Sequence, residues 1–116
     1  MIDKFERMAM LFDFYGKLLT EKQQEMLSLY YEQDLSLSEI AEEYRISRQA
    51  VHDSLKRAEK TLEDLEGKLN LVKKFNLEQE ELAKVLSLLK ELKEDSVMTG
   101  KIRELIEKMM EIKQTD

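Results

Sequence analysis

Residues 36–62, SLSEIAEEYRISRQAVHDSLKRAEKTL, hold two helical patterns separated by a break at Arg45–Ile46. Ser36 followed three positions later by Glu39 forms a capping box that starts the first pattern. Leu37, Ile40, Ala41 and Tyr44 mark its inward side. Ser47 caps the second pattern, because its hydroxyl can accept from a free amide in the first turn. Val51, Leu55, Ala58 and Leu62 then fall at offsets of four, three and four. At about 100° per residue they lie within roughly 60° of one another, so they form one buried stripe. The stretch therefore reads as a helix, a sharp turn and a second helix.

A pair of helices that reads duplex DNA makes three demands. The first helix needs a small residue where the two cross, an aliphatic must be buried just after the turn, and the second helix needs an aliphatic facing back into the core. Ala41, Ile46 and Val51 meet them at the spacing of the helix-turn-helix motif, in which the second helix offers its polar face to base edges in the major groove. One position departs from the pattern. Glycine often occupies the turn because it takes a positive φ without cost, and Arg45 stands there instead. The left-handed conformation costs arginine about 1 kcal/mol.

The outward arc of the second helix carries Gln49, Asp53, Lys56, Arg57 and Lys60, with Arg48 and His52 at its edges. Arg45–Lys60 holds five basic residues against two acidic ones, although the whole chain carries a formal charge of −6. Arg48, Gln49 and His52 sit at the end of the helix that enters a groove. Arginine pairs bidentately with guanine and glutamine with adenine. Lys56, Arg57 and Lys60 lie further along and are expected to meet phosphates. The free amides at the Ser36 and Ser47 helix starts add two more anion-binding points. Asp53 is expected in solvent or paired with Arg57 one turn on. The competing reading of these cations is a solvated helix face.

Outward from this stretch the chain stays helical. A first helix is expected from about Ile2 to Tyr15, with Phe5, Met8, Leu11, Phe12 and Tyr15 as its stripe and Gly16 as its stop. Thr20 and Gln23 make a second capping box, and Met26, Leu27, Tyr30 and Tyr31 give the helix that follows its apolar side. The leucine seam of the DNA-reading helix continues through Leu65, Leu69 and Val72, with Gly67 a weak point. Asn76 with Gln79 is expected to open a further helix through about Glu94, carrying Leu82, Val85, Leu86, Leu89 and Leu92. Asp95–Gly100 reads as a break capped by Ser96 or Thr99, and Ile102, Leu105, Ile106, Met109 and Ile112 mark a last helix.

Composition agrees with an all-helical chain. Its 116 residues include no proline and three glycines, and 38% are charged; proline and glycine are the strongest helix breakers. There is no cysteine, so disulfides and thiolate metal sites are excluded. His52 is the single histidine, so no multi-histidine metal site exists. No glycine-rich phosphate loop is present. Glu42–Glu43 and Glu80–Glu81 read as solvated helix faces. No catalytic residue, cofactor or metal is expected. MIDKFERMAMLFDF carries charges within its apolar pattern and does not read as a signal peptide, and no apolar run is long enough to span a membrane.

Two resemblances follow from these residues. SLSEIAEEYRISRQAVHDSLKRAEKTL resembles region 4 of sigma factors, closest to the extracytoplasmic type at Ile40–Ala41, Ser47, Val51, Leu55 and Arg57–Ala58. Over about residues 8–75, LFDFYGKLLTEKQ, LYY and SRQAVHDSLKR resemble the YlxM family of small bacterial helix-turn-helix proteins. That resemblance implies a DNA-binding regulator without enzyme activity or cofactor. It also implies a link to the signal recognition particle, beside whose protein gene the family's gene typically lies.

The expected architecture is all-α: a sigma-region-4-like helix-turn-helix head over residues 1–70 and a C-terminal helical arm over residues 71–116. The expected partner is double-stranded DNA, bound through Ser36, Ser47, Arg48, Gln49, His52, Lys56, Arg57 and Lys60 in the cytoplasm. A lone module with so few cations binds weakly, and a homodimer would join two half-sites about 34 Å apart. The Leu62–Leu65–Leu69–Val72 seam and the arm are candidate dimer surfaces, or else simply cover the head's own core. The rival reading is a non-enzymatic adaptor that binds protein or structured RNA in the protein-targeting pathway. The negative net charge favours that rival.

Overall fold

The computed structural model describes residues 3–92 and 96–112, and these residues form helices and no strand. The helices are α1 (Lys4–Tyr15), α2 (Glu21–Leu27), α3 (Leu37–Tyr44), α4 (Arg48–Leu69), α5 (Leu71–Glu91) and α6 (Val97–Ile112). The chain divides after Val72 into a head and a second unit beginning at Lys73.

Local chemistry sets most helix starts in the head. Asp3 accepts from the Glu6 amide at 2.8 Å and starts α1; Ile2, the expected start, lies outside the described residues. Thr20 and Gln23 complete the expected capping box of α2, and Ser36 and Glu39 that of α3. Ser47 accepts from the Ala50 amide at 3.0 Å and starts α4.

Gly16 does not stop α1 by a positive φ. The chain passes through it at φ −52° into a 3-10 turn, Gly16–Leu18. Its value is space, because a Cβ there would lie 2.9 Å from Cε1 of Phe12. After α2 the chain widens into a π turn, Ser28–Glu32, closed by the Gln33 amide on the Ser28 carbonyl at 3.0 Å. Leu29 and Tyr31 of this turn are both buried.

The head core joins Met8, Leu11 and Tyr15 of α1 to Met26 and Leu27 of α2, Ile40 and Ala41 of α3, and Val51, Leu55, Ala58 and Leu62 of α4. Leu62 and Val72 are buried in this same cluster and Leu65 packs against it, whereas Leu69 is exposed. The seam therefore covers the head's own core and offers little to a second copy.

One expected boundary holds and one moves. Helix α4 runs through Gly67 to Leu69, as the continued leucine seam predicts, and ends where Asn70 takes the left-handed conformation (φ 54°, ψ 30°). Asn76 does not open a helix; it lies inside α5, which starts at Leu71. A buried polar cluster holds this junction. The Tyr15 hydroxyl donates to Oε1 of Glu66 at 2.5 Å and accepts from the Leu71 amide at 3.0 Å. The Val72 amide donates to the same Glu66 oxygen at 3.0 Å. Two amides of the α5 N-terminus, which has no intrahelical partner for them, are satisfied in this way.

In the second unit Ser96 caps α6 through the Thr99 amide at 3.2 Å, and Thr99 itself is a buried helical residue. Leu89 and Ile106 are buried there, while Leu77, Leu88, Leu92, Leu105 and Met109 are exposed. Glu94 and Asp95 lie outside the described residues, as does the side chain of Ile112.

Candidate nucleic-acid interface

The α3–α4 turn is closed by backbone hydrogen bonds. The Ile46 amide donates to the Ala41 carbonyl at 3.1 Å and the Arg45 amide to the Glu42 carbonyl at 3.3 Å. This pair is the Schellman closure of a helix end, and it requires a left-handed residue between its arms. Arg45 supplies it at φ 55°, ψ 47°. Ile46 packs against the core one residue later, and Val51 is fully buried. The turn fixes α4 against α3 and leaves the outer face of α4 in solvent.

The first turn of α4 gathers the three predicted base readers. Arg48, Gln49 and His52 line one recess with Leu37 of α3. Arg48 has no carboxylate partner among the described residues. Gln49 and His52 are held by one acid: Asp53 Oδ1 accepts from Gln49 Nε2 at 3.0 Å and lies 3.4 Å from His52 Nδ1. Of the two expected alternatives for Asp53, solvent or a pair with Arg57, the exposed side chain takes the first and makes no ion pair with Arg57. Arg57 instead reaches Ser54 Oγ at 3.4 Å.

The cations further along α4 differ in how far they are neutralised. Lys60 Nζ lies 3.0 Å from Oδ2 of Asp64. Lys56 Nζ lies 3.9 Å from Oε1 of Glu59, and Lys4 of α1 reaches the same oxygen at 3.5 Å. Glu59 is buried and also accepts from the Tyr31 hydroxyl at 2.8 Å. Proximity to the Lys4 ammonium holds Lys56 below the ordinary lysine range. Burial, reinforced by Glu59, pushes the Tyr31 phenol far above the ordinary tyrosine value. Arg57 takes no carboxylate among the described residues.

The two predicted serines sit at helix starts, but differently. Ser47 accepts from the Ala50 amide with its hydroxyl, and no acidic residue stands in the first turn of α4. Ser36 has the Glu39 carboxylate beside it, accepting from its amide at 3.0 Å. That amide, with the serine hydroxyl, holds the Glu39 carboxyl below the usual carboxylate range. A negative charge therefore already occupies the start of α3.

Sequence reasoning passed over Lys4 and Lys22. Lys4 reaches α4 from α1, and Lys22 of α2 lines a pocket with Arg57. Both approaches are made by chain folding over more than 30 residues, so no local pattern signals them. Among the described residues no group of three His, Cys, Asp or Glu side chains could hold a metal ion. No described helix is long and apolar enough to cross a membrane.

The profile of a protein family, UPF0122, described as "Putative helix-turn-helix protein, YlxM / p13 like", matches residues 2–115. The chain belongs to this family. Family members include a UPF0122 protein of Desulforamulus reducens, 50% identical over 105 residues, covering 90% of this chain and 86% of that protein. A UPF0122 protein of Bacillus mycoides is 50% identical over 109 residues, covering 94% and 99%. One of Bacillus cereus is 49% identical over the same length. The family's helix-turn-helix description agrees with the α3–turn–α4 geometry, and its match extends through α5 and α6, beyond the stretch on which the YlxM resemblance was read.

Proposed function

We propose that this UPF0122 protein is a non-enzymatic DNA-binding regulator that reads the major groove with the first turns of α4. The observation that carries the reading is the α4 N-terminus: Arg48, Gln49 and His52 share one exposed recess on a helix braced by a tight left-handed turn. In this reading Arg48, Gln49 and His52 face base edges. Lys56, Arg57, Lys60 and the Ser47 helix start face phosphates, and Ser36 contributes least because of Glu39. The likeness to sigma region 4 supports the same docking mode. The likeness to YlxM proteins supports a cytoplasmic role tied to the signal recognition particle pathway.

A homodimer fits this reading through the second unit rather than the leucine seam. Leu77, Leu88, Leu105 and Met109 of α5 and α6, and Leu92 just after α5, are large, apolar and exposed, and in this reading a second copy covers them. The same residues support the second reading, an adaptor that docks a protein or a structured RNA in the targeting pathway.

Binding of a random-sequence duplex pool at two salt concentrations, followed by sequencing of the bound fraction, tests the first reading. An enriched motif is expected, and Arg48→Ala with Lys56→Ala should weaken binding and reduce its salt dependence. Unchanged affinity in that double variant would sink the proposal.

A further inference from the structure

About 100° around α4 from Lys56 lies a second cationic feature. A surface pocket of about 190 Å³ opens between α2 and α4, lined by Thr20, Lys22, Gln23, Met26, Ser54 and Arg57. Its polar lining is made of two cations, two hydroxyls and an amide, and no carboxylate lines it. Thr20 and Gln23 are rigidly placed by their mutual capping bonds, each at 3.2 Å. Ser54 steadies the Arg57 guanidinium from one turn back on α4.

The contrast with the other cations of α4 gives the pocket its meaning. Lys60 is paired with Asp64, and Lys56 shares Glu59 with Lys4. Each must leave an internal partner, at least in part, to meet an external anion. Lys22 and Arg57 have no carboxylate partner among the described residues. Positions 52 and 56 lie on one flank of α4 and position 57 on the other, at about 100° per residue. A helix seated in a major groove roughly 12 Å wide has a phosphate strand on each side. On the Arg57 flank the charge is available without breaking an ion pair, as it is at Arg48 near the start of the other flank.

We propose that the Lys22–Arg57 pocket seats a backbone phosphate of duplex DNA, so that α2, outside the helix-turn-helix pair, supplies a cation to the interface. This rests on the DNA-binding reading above. Lys22 meets the phosphate oxygens as a point charge and Arg57 as a planar donor fork, while the Ser54 hydroxyl completes the ring of donors. The seat carries no sequence preference. It fixes the register of α4 along one strand, and base readers depend on such backbone contacts for position.

The test is a salt titration of duplex binding by the full chain, with a random-sequence duplex as probe, for wild type, Lys22→Ala, Lys22→Arg and Lys17→Ala. Lys17 is an exposed cation on the 3-10 turn that does not line the pocket. Loss of one phosphate contact lowers the slope of log affinity on log salt by about 0.9. Lys22→Ala should show that decrease, with affinity roughly 5–10-fold weaker at 0.1 M salt. Lys22→Arg should keep the wild-type slope, and so should Lys17→Ala. A wild type that binds while Lys22→Ala and Lys17→Ala behave alike overturns this seat and leaves the DNA reading standing. A wild type that binds no duplex at all overturns both.

Discussion

Replacing Tyr15 by phenylalanine removes one oxygen atom from the α4–α5 junction and nothing else. That oxygen donates to Glu66 and accepts from the Leu71 amide, and both Tyr15 and Glu66 are buried. A hydrogen bond to a charged group contributes about 1.5–3 kcal/mol net. The part-buried Leu71 amide also loses its partner. Glu66 keeps the Val72 amide as a donor. The expected loss is about 2 kcal/mol, or roughly thirtyfold in the folding equilibrium. In a domain of this size the midpoint of thermal unfolding should fall by about 10 °C.

Urea unfolding followed by circular dichroism measures the loss directly, with an unchanged m-value showing that the states are otherwise the same. Tyr30→Phe is the control, since the Tyr30 hydroxyl has no hydrogen bond among the described residues. The junction also has a pH signature. Burial, with help from Glu66, holds the Tyr15 phenol above its ordinary value. Below about pH 10 the phenol is protonated in both states and the contribution is complete. Above it the unfolded chain loses its proton first, so stability falls with pH. This fall should be shallower in Tyr15→Phe, with Tyr31 and Tyr44 supplying the remainder, Tyr44 being pushed up to about 12 by burial. A Tyr15→Phe variant within about 0.5 kcal/mol of wild type would show that the hydroxyl does not hold the junction.

Three further outcomes are expected. Arg45→Gly relieves about 1 kcal/mol of left-handed strain and returns part of it as freedom of the unfolded chain, so the urea midpoint should rise slightly; a clear fall would count against the strain. Gly16→Ala presses a methyl group onto the Phe12 ring and should lower stability by about 1–3 kcal/mol, readable as a lower melting temperature; an unchanged one would mean that the ring yields freely. The Arg7 guanidinium grips Glu63 at 2.7 and 2.8 Å and holds its carboxyl below the usual range. Its contribution is present above about pH 4.3 and is lost as pH falls through the folded value. Both side chains are more than one-third exposed, so Arg7→Ala should cost under about 1 kcal/mol at neutral pH and nothing in 1 M salt; a salt-independent cost would mean packing rather than charge.

The parts of the fold legible in the sequence are those decided within a turn of helix. Thr20 with Gln23, Ser36 with Glu39, and Ser47 announce their helices because a cap needs only its neighbours. The Ala41–Ile46–Val51 spacing placed the turn for the same reason. The α4–α5 junction was misread because Asn76 with Gln79 imitates a helix start. The real boundary is Asn70, a residue that tolerates the left-handed conformation, and the Leu71 amide after it is held by Tyr15, 56 positions away in sequence. In the interface, the sequence pointed to α4 but not to the state of its charges. Lys60–Asp64 follows a four-residue spacing and was readable, whereas Lys4 on Glu59 and Lys22 beside Arg57 depend on tertiary folding.

The π turn at Ser28–Glu32 carries a consequence for chain length. It accommodates a residue more than a regular helical turn between α2 and the start of α3. Deleting one residue there would let the ordinary helical repeat resume, so the backbone could absorb the loss. The side chains could not, because Tyr31 would swing by about 100° around the axis and leave Glu59 without its phenol. The carboxylate would then rest on the Lys4 and Lys56 ammonium groups alone, at 3.5 and 3.9 Å, and would draw more of their charge away from solvent.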